Sequence, residues 1–333
     1  MILKTGFRSA MAGLAALGGI HPALAAEPLT VGYFLELPMP YQYAKATGMY
    51  DEALGTEVNW VAFETGTAMS AAMASGGVQI SLSQGVPPFV VAVSAGQDLK
   101  AVDITMTYSE NDNCVVAETL EIDQKNAREL EGRKVGVPLG TAAHFGFLAQ
   151  MRHFGIDTST LDIVDMSPPE GAAAFAQGNL DMVCGWGGAL LRMKEHGNVL
   201  LSGAEKEALG ILVFDVTSVP AEFAAANGEL LSRFLAVTAE ANAMWNAGDR
   251  RDEMLAVIAK DAGMDLDAAA ATIDTFVFPP VAEQLEARWL GGGMQDYMLG
   301  VARVFEETGS IPRALDSYNA AVDTTYLQAA GEM

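Results

Sequence analysis

The chain has 333 residues, half of them hydrophobic, with 19 Lys and Arg against 42 Asp and Glu and a formal net charge of −23 at pH 7. So acidic a surface excludes nucleic acid as a partner, because a phosphate backbone is held by clustered Lys and Arg. With two cysteines and four histidines at no metal-ligand spacing, no metal and no cofactor is expected.

The first element is a leader. Lys4 and Arg8 precede the apolar run "AMAGLAALGGI", and "ALA" at 23–25 is a small-x-small cleavage site, so residues 1–25 read as a secretory signal peptide. No later stretch offers the ~18 uninterrupted apolar residues of a membrane span. An exported protein is expected.

From residue 29 onward apolar strands alternate with Gly-punctuated helices, the pattern of an α/β fold with mainly parallel pairing. Strands are predicted at 29–35, 57–63, 78–83 and 100–106, separated by helices at 40–50, 67–76 and 87–96. The cycle restarts after "CVVAE" at 114–118. There the strands "RKVGVPLG", "DIVDMS" and "LDMVCGW" alternate with the helices "AAHFGFLAQMRHFG", "PPEGAAAFAQG" and "GGALLRMKEHG". Cys114 and Cys184 lie among these apolar strand residues and read as small buried core side chains, although an oxidising compartment would also let them pair.

One unit is written twice. "AMASGGVQISLSQG" (72–85) and "AFAQGNLDMVCGWGG" (174–188) each give an Ala-rich helix end, a Gly turn, a short strand and a loop of small residues. Two similar lobes need one such unit each, and ligands of open α/β sheets sit at the carboxyl ends of the strands. After "VFDVTSVP" (213–220) a run of helices reaches the C-terminus, with apolar residues every three or four positions, as expected of cladding on the first lobe. The first lobe is therefore expected to hold residues 26–112 and 214–333, and the second, inserted, residues 113–213. Paired crossings near 110–114 and 212–217 would form a two-strand hinge.

This order of motifs resembles the periplasmic substrate-binding proteins of ABC importers, specifically the taurine and alkanesulfonate group, with nitrate-binding and thiamine-precursor-binding proteins as more distant relatives. The residues that carry the resemblance are "VNWVAFETGTAMSAAMASGGVQISLSQGVPP", "LEGRKVGVPLGTAAHF", "HFGID", "DIVDMSPPEGAAAFAQGNLDMVCGW" and "VFDV". The resemblance implies a two-lobed type II binding protein with two mixed sheets flanked by helices. It also implies a monomeric periplasmic receptor, without enzymatic activity, that closes on a small sulfonate or other zwitterion and delivers it to an ABC permease in the inner membrane. A nitrogen heterocycle such as a thiamine precursor is the other ligand class that it allows.

The residues themselves allow the same chemistry. A sulfonate needs hydrogen-bond donors, and helix starts supply free backbone N–H groups with a favourable dipole. Two such starts are predicted at facing loops, Ser83, Gln84 and Gly85 on the first lobe and Gly140 with Thr141 on the second. Thr141 reads equally as a helix cap, and His144, one turn in, as ligand contact or packing. Trp186, between glycines after a buried strand, can close over a cleft or wedge between strand and helix. Asp215 interrupts the apolar strand "ILVFDVTSV", where an unpaired carboxylate is costly, so a ligand ammonium or a structural Arg or Lys is expected beside it. Glu36 and Tyr41 in "LELPMPYQY" would tune ligand choice, with Tyr41 against an alkyl chain. Glu110, Asn111 and Asp112 in "YSENDN" lie near the other crossing and could add an acceptor, with a solvated turn expected for at least two of them.

Overall fold

The computed structural model describes Met1, residues 29–248 and residues 250–333. The leader read at residues 1–25 lies, Met1 apart, outside the described residues. Among the described residues, eleven strands form two mixed sheets. The first contains β1 (Leu29–Phe34), β2 (Val58–Phe63), β3 (Ile80–Gly85), β4 (Leu99–Ala101), β5 (Met106–Thr107) and, from much later in the chain, β11 (Phe214–Pro220). The second contains β6 (Asp112–Ala117), β7 (Lys134–Val137), β8 (Asp162–Asp165), β9 (Met182–Trp186) and β10 (Gly197–Val199).

Fifteen α-helices accompany them among the described residues. In chain order they are α1 (Pro40–Ala46), α2 (Met49–Leu54), α3 (Gly66–Ala74), α4 (Val86–Ser94), α5 (Ala142–Phe154), α6 (Pro168–Ala176), α7 (Gly187–Lys194) and α8 (Gly203–Ala208). The C-terminal series is α9 (Ala221–Ala226), α10 (Gly228–Ala247), α11 (Arg251–Ala262), α12 (Leu266–Ile273), α13 (Val281–Gln284), α14 (Gly293–Glu307) and α15 (Thr325–Ala330).

The repeated unit occupies equivalent places. β3 lies between β1, parallel to it, and β11, antiparallel; β9 lies between β7, parallel, and β6, antiparallel. Each strand runs directly into a helix, β3 into α4 and β9 into α7. The antiparallel partners β6 and β11 are the strands that follow the two crossings, so pairing is more mixed than the alternation alone implies. A backbone bond from Tyr108 N–H to Val213 O ties one crossing to the other.

Several details depart from the sequence reading. The strand predicted at 100–106 is divided, because the buried Asp103 carboxylate accepts the Thr217 N–H (2.6 Å) and the Thr105 hydroxyl (3.2 Å) and breaks the ladder between β4 and β5. The helix predicted at 40–50 is broken at Gly48, whose φ of +77° lies in the left-handed region. β10 was not expected. The C-terminal helices do more than clad one lobe: α14 packs against α4 and also against α5, where Phe305 stacks on His144 (5.3 Å). Cys114 and Cys184, both buried as expected, face each other across β6 and β9 and form a disulfide, the pairing that the sequence left open.

Candidate functional site

The carboxyl ends of β1 and β3 meet the starts of α5 and α7 at a seam between the sheets. A cavity of about 10 Å³ lies there, lined by Phe34, Gly85, Tyr108, Thr141, Trp186 and Asp215 among others. That is room for about one water. Behind the edge-to-face pair of Phe34 and Trp186, with ring centroids 6.1 Å apart, a second cavity of about 390 Å³ opens between Glu36, Phe63 and Glu64 on one side and Pro168 and Ala189 on the other. A cavity of about 650 Å³ lies elsewhere, between α10, Pro279–Val281 and the C-terminal residues Ala330, Gly331 and Met333, away from the strand ends.

Asp215 is the central group. It is 1% exposed, and its two oxygens accept hydrogen bonds from Ser83 Oγ and Tyr108 Oη, both at 2.7 Å. Among the described residues no Lys, Arg or His forms an ion pair with it. The structural cation allowed by the sequence reading is therefore not what faces this carboxylate. Burial pushes its pKa up to about 7, against the lowering effect of the two hydroxyls.

Ser83 reaches Asp215 by way of an irregular backbone. Its φ of +61° is unusual for a residue with a side chain, and the ladder between β3 and β11 shifts register at this point. The bulge re-aims the hydroxyl, a common role of such kinks beside functional sites. Gly85 brings the two sides together, since a Cβ there would stand at ordinary contact distance from both, 3.5 Å from Asp215 Oδ1 and 3.6 Å from Ala142 Cβ on the opposite side.

Across the seam, Thr141 caps α5. Its hydroxyl donates to Pro138 O (2.6 Å) and accepts from His144 N–H (3.4 Å), so that hydrogen is already committed. The N–H groups of Ala142 and Ala143, in the first turn of α5, have no intrahelical acceptor. α7 differs, since its first two N–H groups are taken by Asn111 Oδ1 (2.6 Å) and by Glu36 O (2.8 Å). The start of α5 is thus the better anion site.

Of the expected contacts, Gly85, Thr141, Trp186 and Asp215 line the inner cavity, and the others lie outside it. Tyr41 is buried in the first lobe, stacked on Trp60 with an interplanar angle of 13°, because α1 turns its aromatic face into the core. The Gln84 side chain is consumed internally by Gly66 O, Ser70 Oγ and Ser218 Oγ. Glu110 caps α8 by accepting the Gly203 N–H at 2.7 Å. His144 accepts the Gly140 N–H through Nδ1 (3.1 Å), and burial lowers its pKa to about 4, so it is a neutral prop for the loop. Glu36 lines the outer cavity and holds Arg192 of α7 through two bonds of 2.9 Å.

Gly140, with φ +76°, touches the first lobe instead of the cavity, since a Cβ there would lie 3.1 Å from Thr67 Cγ2. Sequence reasoning missed Tyr108, Phe34 and Arg192, and expected at least two of Glu110, Asn111 and Asp112 in a solvated turn, whereas Asn111 is 2% and Asp112 1% exposed.

The sequence and the fold both have relatives. The chain is 25% identical over 321 residues to the taurine-binding periplasmic protein of Escherichia coli (strain K12), covering 95% of this chain and 97% of that one. Its structure is similar to the periplasmic aliphatic sulphonate binding protein SsuA from Escherichia coli (TM-score 0.72, 24% identity, 90% of this chain and 94% of the other). It is also similar to the alkanesulfonate-binding protein SsuA from Xanthomonas axonopodis pv. citri bound to MOPS (TM-score 0.75, 21% identity, 90% and 100%). The family model described as NMT1/THI5 like matches residues 38–248, and the chain belongs to that family.

Proposed function

We propose that this protein is a periplasmic solute receptor of an ABC importer and that its ligand is a small amino-sulfonate such as taurine. Its names among relatives point to the class, since similar proteins are called taurine-binding and sulphonate-binding. The single observation that carries the finer reading is the buried Asp215 carboxylate, without a cation, facing the uncommitted N-terminus of α5 across the seam. The sulfonate would accept from Ala142 and Ala143 at the positive end of that helix. The ammonium would lie at Asp215, under the Trp186 ring, where a cation–π contact adds ~0.5–2 kcal/mol.

The inner cavity is too small for such a ligand with the lobes as they stand, so capture requires them to part and close again about the crossings. Closure then supplies contacts that the open form lacks, which is what a ligand must do to favour it. Micromolar affinity needs ~8 kcal/mol, and charge-assisted hydrogen bonds contribute ~1.5–3 kcal/mol each, so four or five suffice. The receptor acts as a monomer and hands its ligand to a membrane permease.

Calorimetry on wild type and Asp215→Asn tests this reading. Taurine is expected to weaken on substitution by at least tenfold and ethanesulfonate, which lacks the amine, to change little, an ammonium–carboxylate bond being worth ~1.5–3 kcal/mol. Equal weakening would remove Asp215 from the site. Recovery of unchanged taurine after incubation separates a receptor from an enzyme. A nitrogen heterocycle is the second reading, favoured by the Phe34–Trp186 pair, and a thermal-shift screen of heterocycles beside sulfonates decides between them.

A further inference from the structure

The start of α7 has no cap of its own. Trp186 occupies the N-cap position of that helix, where Ser, Thr, Asp or Asn is the usual choice, and its ring offers no oxygen to the first-turn N–H groups. By contrast α5, in the same lobe, is capped by its own Thr141. The acceptor that α7 lacks locally comes from 76 positions away: Asn111, 2% exposed in the first crossing, takes the Gly187 N–H on its Oδ1 at 2.6 Å. A broad ring can therefore stand at the head of the helix, in the wall of the inner cavity, without leaving that N–H unpaired.

Asn111 belongs to a short 3₁₀ turn, Ser109–Asn111, which the second lobe grips at three points. Glu110 Oε1 accepts the Gly203 N–H of α8 at 2.7 Å, Ser109 Oγ donates to Glu207 Oε1 at 2.5 Å, and the Lys206 ammonium donates to Asp112 O. Tyr108, the residue before the turn, reaches the other way, to Val213 O on the second crossing and to Asp215 on β11. The turn is thus fastened to α8, and the change of allegiance between the lobes falls at Tyr108.

We propose that Asn111 is a positioning residue for the ligand's amine: through the Gly187 N–H it fixes the backbone that carries the Trp186 ring, so that the ring is in place before an ammonium arrives. This rests on the amino-sulfonate reading above. When the lobes part, Phe34 and the Glu36 carbonyl leave α7 with the first lobe, and Asn111 stays. A ring already placed loses less freedom on binding, which is how preorganisation raises affinity. A simple sulfonate has no cation for the ring face to attract, so the gain goes to the amine-bearing ligand. Asn111 separates the two ligand classes without touching either.

Calorimetry with taurine and ethanesulfonate on wild type, Asn111→Leu, Trp186→Leu and the double variant tests the assignment. Asn111→Leu keeps the bulk and removes the acceptor, so taurine should weaken by ~2- to 30-fold, the span of a cation–π contact, and ethanesulfonate should not change. In the Trp186→Leu background the same substitution should alter taurine affinity no further, because a residue that acts through the ring has nothing left to act on. Asn111→Asp keeps an acceptor and should restore taurine binding. Effects that multiply in the double variant, equal weakening of both sulfonates, or no rescue by aspartate each overturn the proposal. Hydrogen exchange followed by NMR on the wild type covers the case of a leucine variant that does not fold. Without ligand the Gly187 amide should be protected, because its acceptor travels with α7, whereas the Gly188 amide, bonded to Glu36 O of the first lobe, should exchange faster and gain protection when taurine is added. Unprotected Gly187 in the ligand-free protein overturns the proposal. If taurine binds and Asp215→Asn weakens it, yet Asn111→Leu leaves it untouched, the proposal fails and the amino-sulfonate reading stands. If taurine does not bind the wild type, that reading fails and takes the proposal with it.

Discussion

Replacing Gly187 by alanine isolates the contribution of lobe closure. Gly187 opens α7 with φ +61°, and a Cβ there would stand 2.3 Å from Glu36 O on the opposite lobe, a backbone atom that cannot swing aside. The left-handed φ costs ~1–2 kcal/mol for a residue with a side chain. That cost falls on open and closed forms alike, so it lowers the melting temperature without shifting closure. Closure itself loses the 2.8 Å bond from Gly188 N–H to Glu36 O, worth ~0.5–1.5 kcal/mol. It also loses the Arg192–Glu36 pair, whose side chains are 45% and 30% exposed and which solvent therefore holds to at most ~1 kcal/mol. Together these amount to ~0.5–2.5 kcal/mol, or roughly a 2- to 60-fold loss of ligand affinity. Calorimetry with taurine measures the loss, and small-angle scattering of the ligand-free protein should show a larger radius of gyration. Gly300→Ala, where a Cβ meets nothing within 4 Å, is the control and should leave affinity unchanged. Wild-type affinity and wild-type scattering from Gly187→Ala would refute the closure argument.

The disulfide spans 70 residues of chain, so on loop entropy its removal should cost about 4 kcal/mol of stability, read as a lower denaturant midpoint for the double variant Cys114→Ala with Cys184→Ala. Burial raises the carboxyls of Asp103 to about 6 and of Asp112 and Asp215 to about 7, so the folded state keeps protons that the unfolded chain releases at about pH 4. The ligand-free protein should therefore lose stability as pH rises from about 4 to about 7, by up to a few kcal/mol per group, and Asp112→Asn should show a shallower decline in thermal melts across that range. Tyr108→Phe removes the hydroxyl that donates to Asp215 Oδ1, so Asp215 should hold its proton to higher pH, and thermal melts of the ligand-free variant should go on declining above the pH at which the wild type levels off.

The sequence by itself determined the alternation of strands and Gly-punctuated helices, the doubled helix–strand–loop unit, and the presence of an acid in an otherwise apolar strand at Asp215. These are local signals, because periodicity, turn residues and an ionisable group among aliphatics are visible without knowing what packs where. Only the tertiary structure decided what each side chain faces. Tyr41 and Gln84 belong to loop sequences that reach the seam, yet their side chains turn into the first lobe's core. Glu110 and Asp112 are two positions apart, and one caps a helix while the other is buried with an unpartnered oxygen. Arg192 and Glu36 are 156 positions apart and meet across the cleft mouth. Such outcomes depend on pairing register, helix rotation and the approach of two lobes. Shifting a strand by one residue reverses which side chains point inward, and no local pattern in the chain records that choice.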